Sequence, residues 1–219
     1  MHFQQSSDEA WDNLWSIGGK PQLIDCSSTA YHGGSRGEAE KIETARPQDR
    51  FMVTESQLGP GVYFSQRTFE ARGARFEQSH EDAYRGAEVL AKRNKGVPPQ
   101  ECVVVQVRIA AERCYDVLAP ENADFFRLAH SAAVQEQMSY GTGNEKHVFL
   151  TAVLGRVLKF YGPKMSIQTM RSVLQSKDTS RPPSTAAGPI YCMVVLDVNC
   201  VDAPAVVPAK QTSEHQPAL

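Results

Sequence analysis

Most of the patterns that assign a chemistry at sight are missing from this chain. Its five cysteines (Cys26, Cys102, Cys114, Cys192 and Cys200) form no C-x-x-C pair, and its six histidines show neither H-E-x-x-H nor metal spacing beside a cysteine pair. No metal is therefore expected. The longest strongly apolar run, Ile190–Leu196, has seven residues, against the roughly 20 that a membrane-spanning helix needs. The first residues, MHFQQSSDEAWDN, carry neither a basic n-region nor an apolar h-region, so no secretory signal and no membrane partner are expected. Charge of one sign is not in excess either. Lys and Arg number 23 against 25 Asp and Glu, a formal charge of -2, which excludes a global basic field holding nucleic acid by counterion release. The odd cysteine count and the apolar surroundings of most thiols (CVVVQV, IYCMVVL) predict buried free thiols in a reducing compartment, cytoplasmic or nuclear.

What is present is ordinary globular composition. Across 219 residues, 41% are hydrophobic and 22% charged, enough to bury a core without a disulfide or metal staple. The length fits one domain with extensions, and the chain is expected to be a soluble monomer.

The predicted order of elements starts with a short helix. Ser6 and Glu9 make a capping box ahead of Trp11, Leu14 and Trp15, and Gly18-Gly19 closes it. Two short β-like runs follow, Leu23–Cys26 and Thr29–His32, and then a loop rich in Gly and charge. GVYFS (61–65) reads as an aromatic strand entered through a turn, and Phe69, Gly73 and Phe76 recur at helical spacing. Ser79 starts a helix that Gly96-Val97-Pro98-Pro99 stops. Glu101–Ile109 is the clearest strand, and Cys114–Leu118 is expected to continue the sheet after a turn. Helical patterns occupy Asp124–Gln137, Lys146–Phe160 and Ile167–Ser176, and Lys177–Pro189 reads as a loop. Ile190–Val201 reads as one apolar strand, and a Pro/Ala/Gln/Ser-rich tail runs from Asp202 to Leu219. The fold class predicted is α+β with a mixed or antiparallel sheet. The organisation predicted is an N-terminal helical extension (1–22), a domain (23–201) with a helical insertion at about 120–189, and a disordered tail (202–219).

Two segments carry candidate chemistry. Tyr31-His32-Gly33-Gly34-Ser35-Arg36 ends a strand with an imidazole, two glycines and a hydroxyl. Its backbone could pair with a ligand amide, while His32, Ser35 and Arg36 could meet a sugar or phosphate. It reads equally as a strand followed by an exposed turn. Leu58-Gly59-Pro60-Gly61-Val62-Tyr63-Phe64-Ser65 lacks the spacing of a dinucleotide fingerprint, but Tyr63 offers a flat face to a planar ring, or simply packs in the core.

Together these segments resemble the ADP-ribosyltransferase fold, in the branch of the poly(ADP-ribose) polymerase catalytic domains. YHGGSRGEAEKI is similar to the family's His-Gly-Ser/Thr strand end and LGPGVYFS to its Gly-x-Gly-x-Tyr-Phe strand. FEARGARF stands where the family has an Ala-x-Tyr segment, and CVVVQVRIAAERCYDV and CMVVLDVNCV stand for later strands. The likeness spans about residues 23–201 and implies a split sheet with NAD as substrate. It implies that His32 binds the adenosine-ribose hydroxyl, that the Gly33 backbone pairs with the nicotinamide carboxamide, and that Tyr63 stacks on the nicotinamide ring. Phe76 takes the second stacking position, and Ser35 and Ser65 are further hydroxyls for NAD. On this reading His32 and Tyr63 line one pocket.

Two departures qualify it. The serine that many members place near the second stacker falls on Gly73 or Ala71, and Ser65 is the nearest hydroxyl. Aligning VVLDVNCV with the last strand puts Cys192 where the catalytic glutamate belongs, and no Asp or Glu lies between Thr179 and Leu196. A neutral thiol does not stabilise developing positive charge as a carboxylate does. Glu145 is the nearest acid that could substitute, though it reads more simply as a solvated helix-start acid. The function this implies is a mono-ADP-ribosyltransferase, moving one ADP-ribose from NAD to an unknown protein or nucleic-acid acceptor. The alternative is a catalytically inactive NAD- or ADP-ribose-binding module acting through partners. A Cys192–His32 nucleophile–base pair lacks any protease signature around it. RNA 2′-phosphotransferase chemistry needs several arginines at the pocket, and only Arg36 is suggestive. The basic run Arg156, Lys159, Lys164, Arg171, Lys177 and Arg181 could touch a pyrophosphate or an acidic partner, and reads more simply as a solvated helix face.

Overall fold

The computed structural model describes residues 9–51, 53–56, 58–135, 145–174 and 189–207. Ser6, residues 177–188 of the expected Lys177–Pro189 loop (Lys177 and Arg181 among them) and residues 208–219 of the expected tail lie outside the described residues, as does the side chain of Glu145.

Helix α1 (Glu9–Ser16) leads into β1 (Leu23–Gly34). β1 is one long strand where two short runs are expected, because it pairs along its whole length with β6 (Val103–Asp116). The expected Gly-rich loop is helix α2 (Arg36–Thr44), started by Ser35, whose Oγ accepts from the Glu38 N–H. β2 (Thr54–Ser56) and β3 (Gly59–Gln66) form a hairpin. The Phe69/Phe76 spacing belongs to a second hairpin, β4 (Thr68–Ala71) with β5 (Ala74–Glu77), and not to a helix. Arg72 (φ 49°) and Gly73 (φ 76°) both take the left-handed region, as a two-residue type I′ turn requires. Phe69 and Phe76 therefore face each other across the ladder, at a separation that also fits two helical turns.

Helix α3 (His80–Lys95) starts at Ser79 and stops at Gly96, as the sequence predicts. β6 runs unbroken through the expected turn. Helices α4 (Ala123–Gln135) and α5 (Glu145–Met165) follow. The helix expected at Ile167–Ser176 is strand β7 (Thr169–Leu174), and β8 (Ile190–Val195) and β9 (Val201–Val207) complete the sheet. The apolar run Ile190–Val201 is thus two strands, broken at Asp197, whose side chain accepts from Asn199 N–H in a short 3-10 turn. Residues 202–207 of the expected tail are β9, paired with β6.

The strand order is β2-β3-β8-β7-β6-β1-β4-β5, with β9 on β6 and a further β1–β3 pairing at Ala30↔Gln66 and Tyr31↔Ser65. That pairing closes a ring, β1–β6–β7–β8–β3 and back to β1. Among the described residues only β6 and β7 run parallel; the other pairs are antiparallel. β7 sits between β6 and β8, so the 120–189 region supplies a strand of the ring and is not a separable insertion. α1 is likewise part of the body, with Trp11 and Leu14 in the core beneath α4 and α5.

The sheet has two apolar faces. The inward one joins Val62 and Phe64 of β3, Val105 and Cys114 of β6, and Met193 of β8, closed at one end by Ile42 and Phe51. The outward one lies under α1, α4 and α5 and holds Tyr63, Tyr115, Met170 and Cys192. α3 covers the outward side of β1 at Tyr31 and of β6 at Val104. Each strand alternates between the two faces.

One charge is enclosed on the inward face. Arg171 donates from Nη1 to Asp116 Oδ2 at 3.3 Å and from Nε to Gln66 Oε1 at 3.1 Å. Its guanidinium lies 4.0 Å from the Phe69 ring centre and 5.0 Å from that of Phe76. Removing one partner of such a pair strands the other charge in a low dielectric. Arg171→Met is therefore expected to lower stability by about 3–5 kcal/mol in urea unfolding, and adding Asp116→Leu should recover most of the loss.

Candidate functional site

β1 delivers His32 to the inward face at the point where β1 leaves β3. The imidazole packs on Phe51 and Phe64, with ring centres 5.4 and 5.1 Å away. Its Nδ1 lies 2.9 Å from the Tyr63 carbonyl and its Nε2 2.8 Å from Lys95 Nζ and 3.3 Å from Glu38 Oε1. Lys95 also pairs with Glu38 and reaches the Gly33 carbonyl at 3.5 Å. An ammonium has only protons to give and a carbonyl only lone pairs. The consistent tautomer therefore has Nδ1–H donating to Tyr63, with the Nε2 lone pair accepting from Lys95.

The electrostatics fit that assignment. Burial dominates at His32, which is 3% exposed, and holds its pKa below the ordinary 6.5 despite Glu38. Burial acts on Glu38 in the opposite sense, yet the adjoining His32 ring and the hydrogen bond and charge of the Lys95 ammonium outweigh it and bring its carboxyl down to about 2. Burial pulls Lys95 down while Glu38 pulls it up. The result is a neutral imidazole beside an ion pair whose side chains are 15% (Glu38) and 16% (Lys95) exposed. The cluster is enclosed at the histidine and open to solvent at the pair.

Both glycines of the HGG segment have a packing role. A Cβ on Gly33 would stand 2.4 Å from the Ala87 carbonyl of α3, and one on Gly34 would stand 2.4 Å from Glu38 Oε2. Gly33 thus admits α3, and Gly34 lets the carboxylate fold back onto His32.

The other expected residues lie elsewhere. Tyr63 is 4% exposed and points outward, since His32 meets the β3 backbone at Tyr63 but the ring of its inward neighbour Phe64. Tyr63 OH donates to the Gly59 carbonyl at 2.6 Å and accepts from Leu58 N–H at 3.1 Å. His32 and Tyr63 therefore sit on opposite faces of the sheet and do not share the expected pocket. Phe76 stands over the inward Arg171, 4.2 Å from the Tyr191 ring centre, so it does not form a slot with Tyr63. Ser65 Oγ is buried without a hydrogen-bond partner, directly under Gly86 of α3. Ser35 is occupied as the α2 cap. Cys192 is fully buried opposite Ser65 and Ser172, and burial pushes its thiol up to about 12. It provides neither a charge nor an accessible nucleophile.

Of the expected residues, then, the structure brings together His32 and Gly33, and it adds Glu38 and Lys95. Glu38 had a visible signal, the S-x-x-E spacing of Ser35 and Glu38 that marks a helix start. Lys95, 63 residues from His32 in sequence, had none. Cavities of about 480 Å³ beside the C-terminal turn of α5 and about 540 Å³ beneath the β4–β5 turn are found among the described residues; neither is lined by His32 or Tyr63. No group of three or more His, Cys, Asp or Glu among the described residues is placed to hold a metal ion. Nor is any helix among them long and apolar enough to cross a membrane.

Stability should follow this chemistry as pH falls. A depressed His32 pKa stabilises the fold above 6.5 and loses that contribution as pH drops below it. Glu38 keeps its contribution above the ordinary 4.5 and loses it as pH falls through about 2. In thermal unfolding across pH, the difference between wild type and Glu38→Gln should be flat above about 6.5, where His32 is neutral in both, and should shrink as pH falls from 4.5 towards 2. Tyr63→Phe should cost about 1–2 kcal/mol of stability through its lost hydrogen bonds, measured by urea unfolding, and should leave any nucleotide affinity unchanged. No protein-family model, characterised protein or solved structure matches the chain.

Proposed function

We propose that the chain is an NAD- or ADP-ribose-binding module with little or no transferase turnover. The observation that carries this reading is the partly open Lys95–Glu38 pair held on a neutral His32 at the end of β1. An ammonium, a carboxylate and the Gly33 carbonyl offer a donor and acceptors at one point. That set complements a ribose diol next to a phosphate. The resemblance of YHGG to the ADP-ribosyltransferase strand end supports the choice of ligand, with His32 and Gly33 as its contacts, whereas GVYFS lends no contact because Tyr63 faces the other side of the sheet.

The fit to NAD is partial. His32, Gly33, Glu38 and Lys95 suit the adenosine-ribose and phosphate end. Tyr63, Ser65, Phe76 and Cys192 do not form a nicotinamide slot in this arrangement, and this argues against fast transfer. One observation favours a second reading, slow mono-ADP-ribosyl transfer. Glu38 is an ionised carboxylate next to His32, and such a group is able to stabilise positive charge developing at the ribosyl carbon.

Calorimetry with NAD and with ADP-ribose, run beside an assay of nicotinamide release from labelled NAD, tests both. The module reading expects both ligands to bind, binding to weaken at least about tenfold in Lys95→Met, and no release above background. Release that vanishes in Glu38→Gln selects the transferase. Binding of neither ligand at millimolar concentration rejects both readings.

A further inference from the structure

Two thiols meet on the inward face at a defect in the β1–β6 ladder. Ile24 pairs with Cys114 and Cys26 with Ala111, so Glu112 and Arg113 together oppose Asp25. This is a β-bulge, with two residues facing one. It returns Cys114 to the face occupied by Ala111 and Cys26, where unbroken alternation would point Cys114 outward. The Cys26 and Cys114 side chains therefore lie in one buried cluster, each close enough to shift the ionisation of the other, beside Thr169, which is paired with Cys114 across β6–β7.

Their surroundings differ. Cys114 is wholly enclosed, whereas Cys26 is 7% exposed and lines the cavity of about 540 Å³ with Asp25, Ser27, Ala71, Arg72 and Arg75. The ladder is already open at this point. The register shifts between Ile24 and Cys26, and the amides of Glu112 and Arg113 donate to Gln168 Oε1 at 2.9 and 3.1 Å, so the regular ladder is interrupted where local movement is needed.

We propose that Cys26 and Cys114 are an oxidisable dithiol, in which a hydroperoxide reaching the hairpin cavity oxidises Cys26 and Cys114 then closes a Cys26–Cys114 disulfide. In the first step the Cys26 thiolate attacks one peroxide oxygen. A sulfur–oxygen bond forms, the O–O bond breaks, and the other oxygen leaves as water or alcohol after taking a proton. In the second step the Cys114 sulfur attacks Cys26 sulfenic acid. The S–S bond forms, the S–O bond breaks, and hydroxide leaves as water with the Cys114 proton. The two sulfurs are oxidised by two electrons in all, and the peroxide is reduced.

Selectivity among the thiols has a physical basis. The neighbouring Cys114 thiol lowers Cys26 more than burial raises it. Burial drives Cys102 up to about 11 and Cys192 and Cys200 up to about 12. The thiolate is the nucleophile, so Cys26 should react first even though Cys102 is the more exposed.

The test treats the full chain with limiting hydrogen peroxide, alkylates the remaining thiols and maps the peptides by mass. A linked Cys26–Cys114 peptide lighter by two hydrogens should appear, reversibly with dithiothreitol, about tenfold or more before Cys102 is consumed. In Cys114→Ala, dimedone should trap sulfenic acid at Cys26. Consumption of Cys102 as fast as Cys26 would overturn the proposal, as would Cys26 oxidation in the wild type without the disulfide. The wild-type map decides the matter if Cys114→Ala does not fold.

Discussion

The structure depends on the closure of its sheet. Pairing of β1 with β3 at Ala30 and Tyr31 turns an open order of strands into a ring, and a ring fixes which side of every strand is inside. Alternation then sends His32, Phe64, Cys114, Asp116 and Arg171 inward, and Tyr31, Tyr63, Tyr115 and Cys192 outward under helices. Few of these placements are open to local adjustment. A strand that slipped by one residue would expose its core side chains and bury its polar ones.

Closure also sets what must be paired inside. An enclosed guanidinium needs a counter-charge and acceptors, and Asp116 and Gln66 supply them on neighbouring strands. An enclosed imidazole is held neutral, and its two nitrogens find the Tyr63 carbonyl and the Lys95 ammonium. At the bulge in β6, which is exposed, the Gln168 side chain takes both freed amides. The inward face thus holds two satisfied polar clusters, one at Arg171 and one at His32, and the second reaches solvent through Glu38 and Lys95.

Much of the fold is legible in the sequence wherever a local rule decides. Ser79 and Gly96 bracket α3 because a cap and a left-handed stop are local chemistry. Val103–Ile109 is a strand because its β-branched residues say so. The misreadings are places where tertiary pairing overrides a local pattern. Ile167–Ser176 has helical spacing, yet β7 is drawn between β6 and β8 by pairing on both of its edges. Phe69 and Phe76 satisfy a helix and a hairpin equally, and the Arg72-Gly73 turn decides. The candidate site is legible only in part. His32 and Gly33 stand out as a motif, but the partners that define their chemistry arrive from α2 and from the end of α3. The expected Tyr63 pocket failed because the facing of one strand relative to another depends on register, which no motif encodes.

The central claim is that ADP-ribose or NAD contacts the His32 cluster, and nitrogen-15 NMR of histidine-labelled protein tests it most directly. With six histidines in the chain, His32→Gln assigns the relevant signals. The free protein at neutral pH should show His32 neutral with its proton on Nδ1, and saturating ADP-ribose should shift its Nε2 signal, because the Lys95–Glu38 pair that the nitrogen faces would turn to the ligand. A His32 signal of the opposite tautomer, or one unmoved while calorimetry shows the ligand bound, would contradict the account.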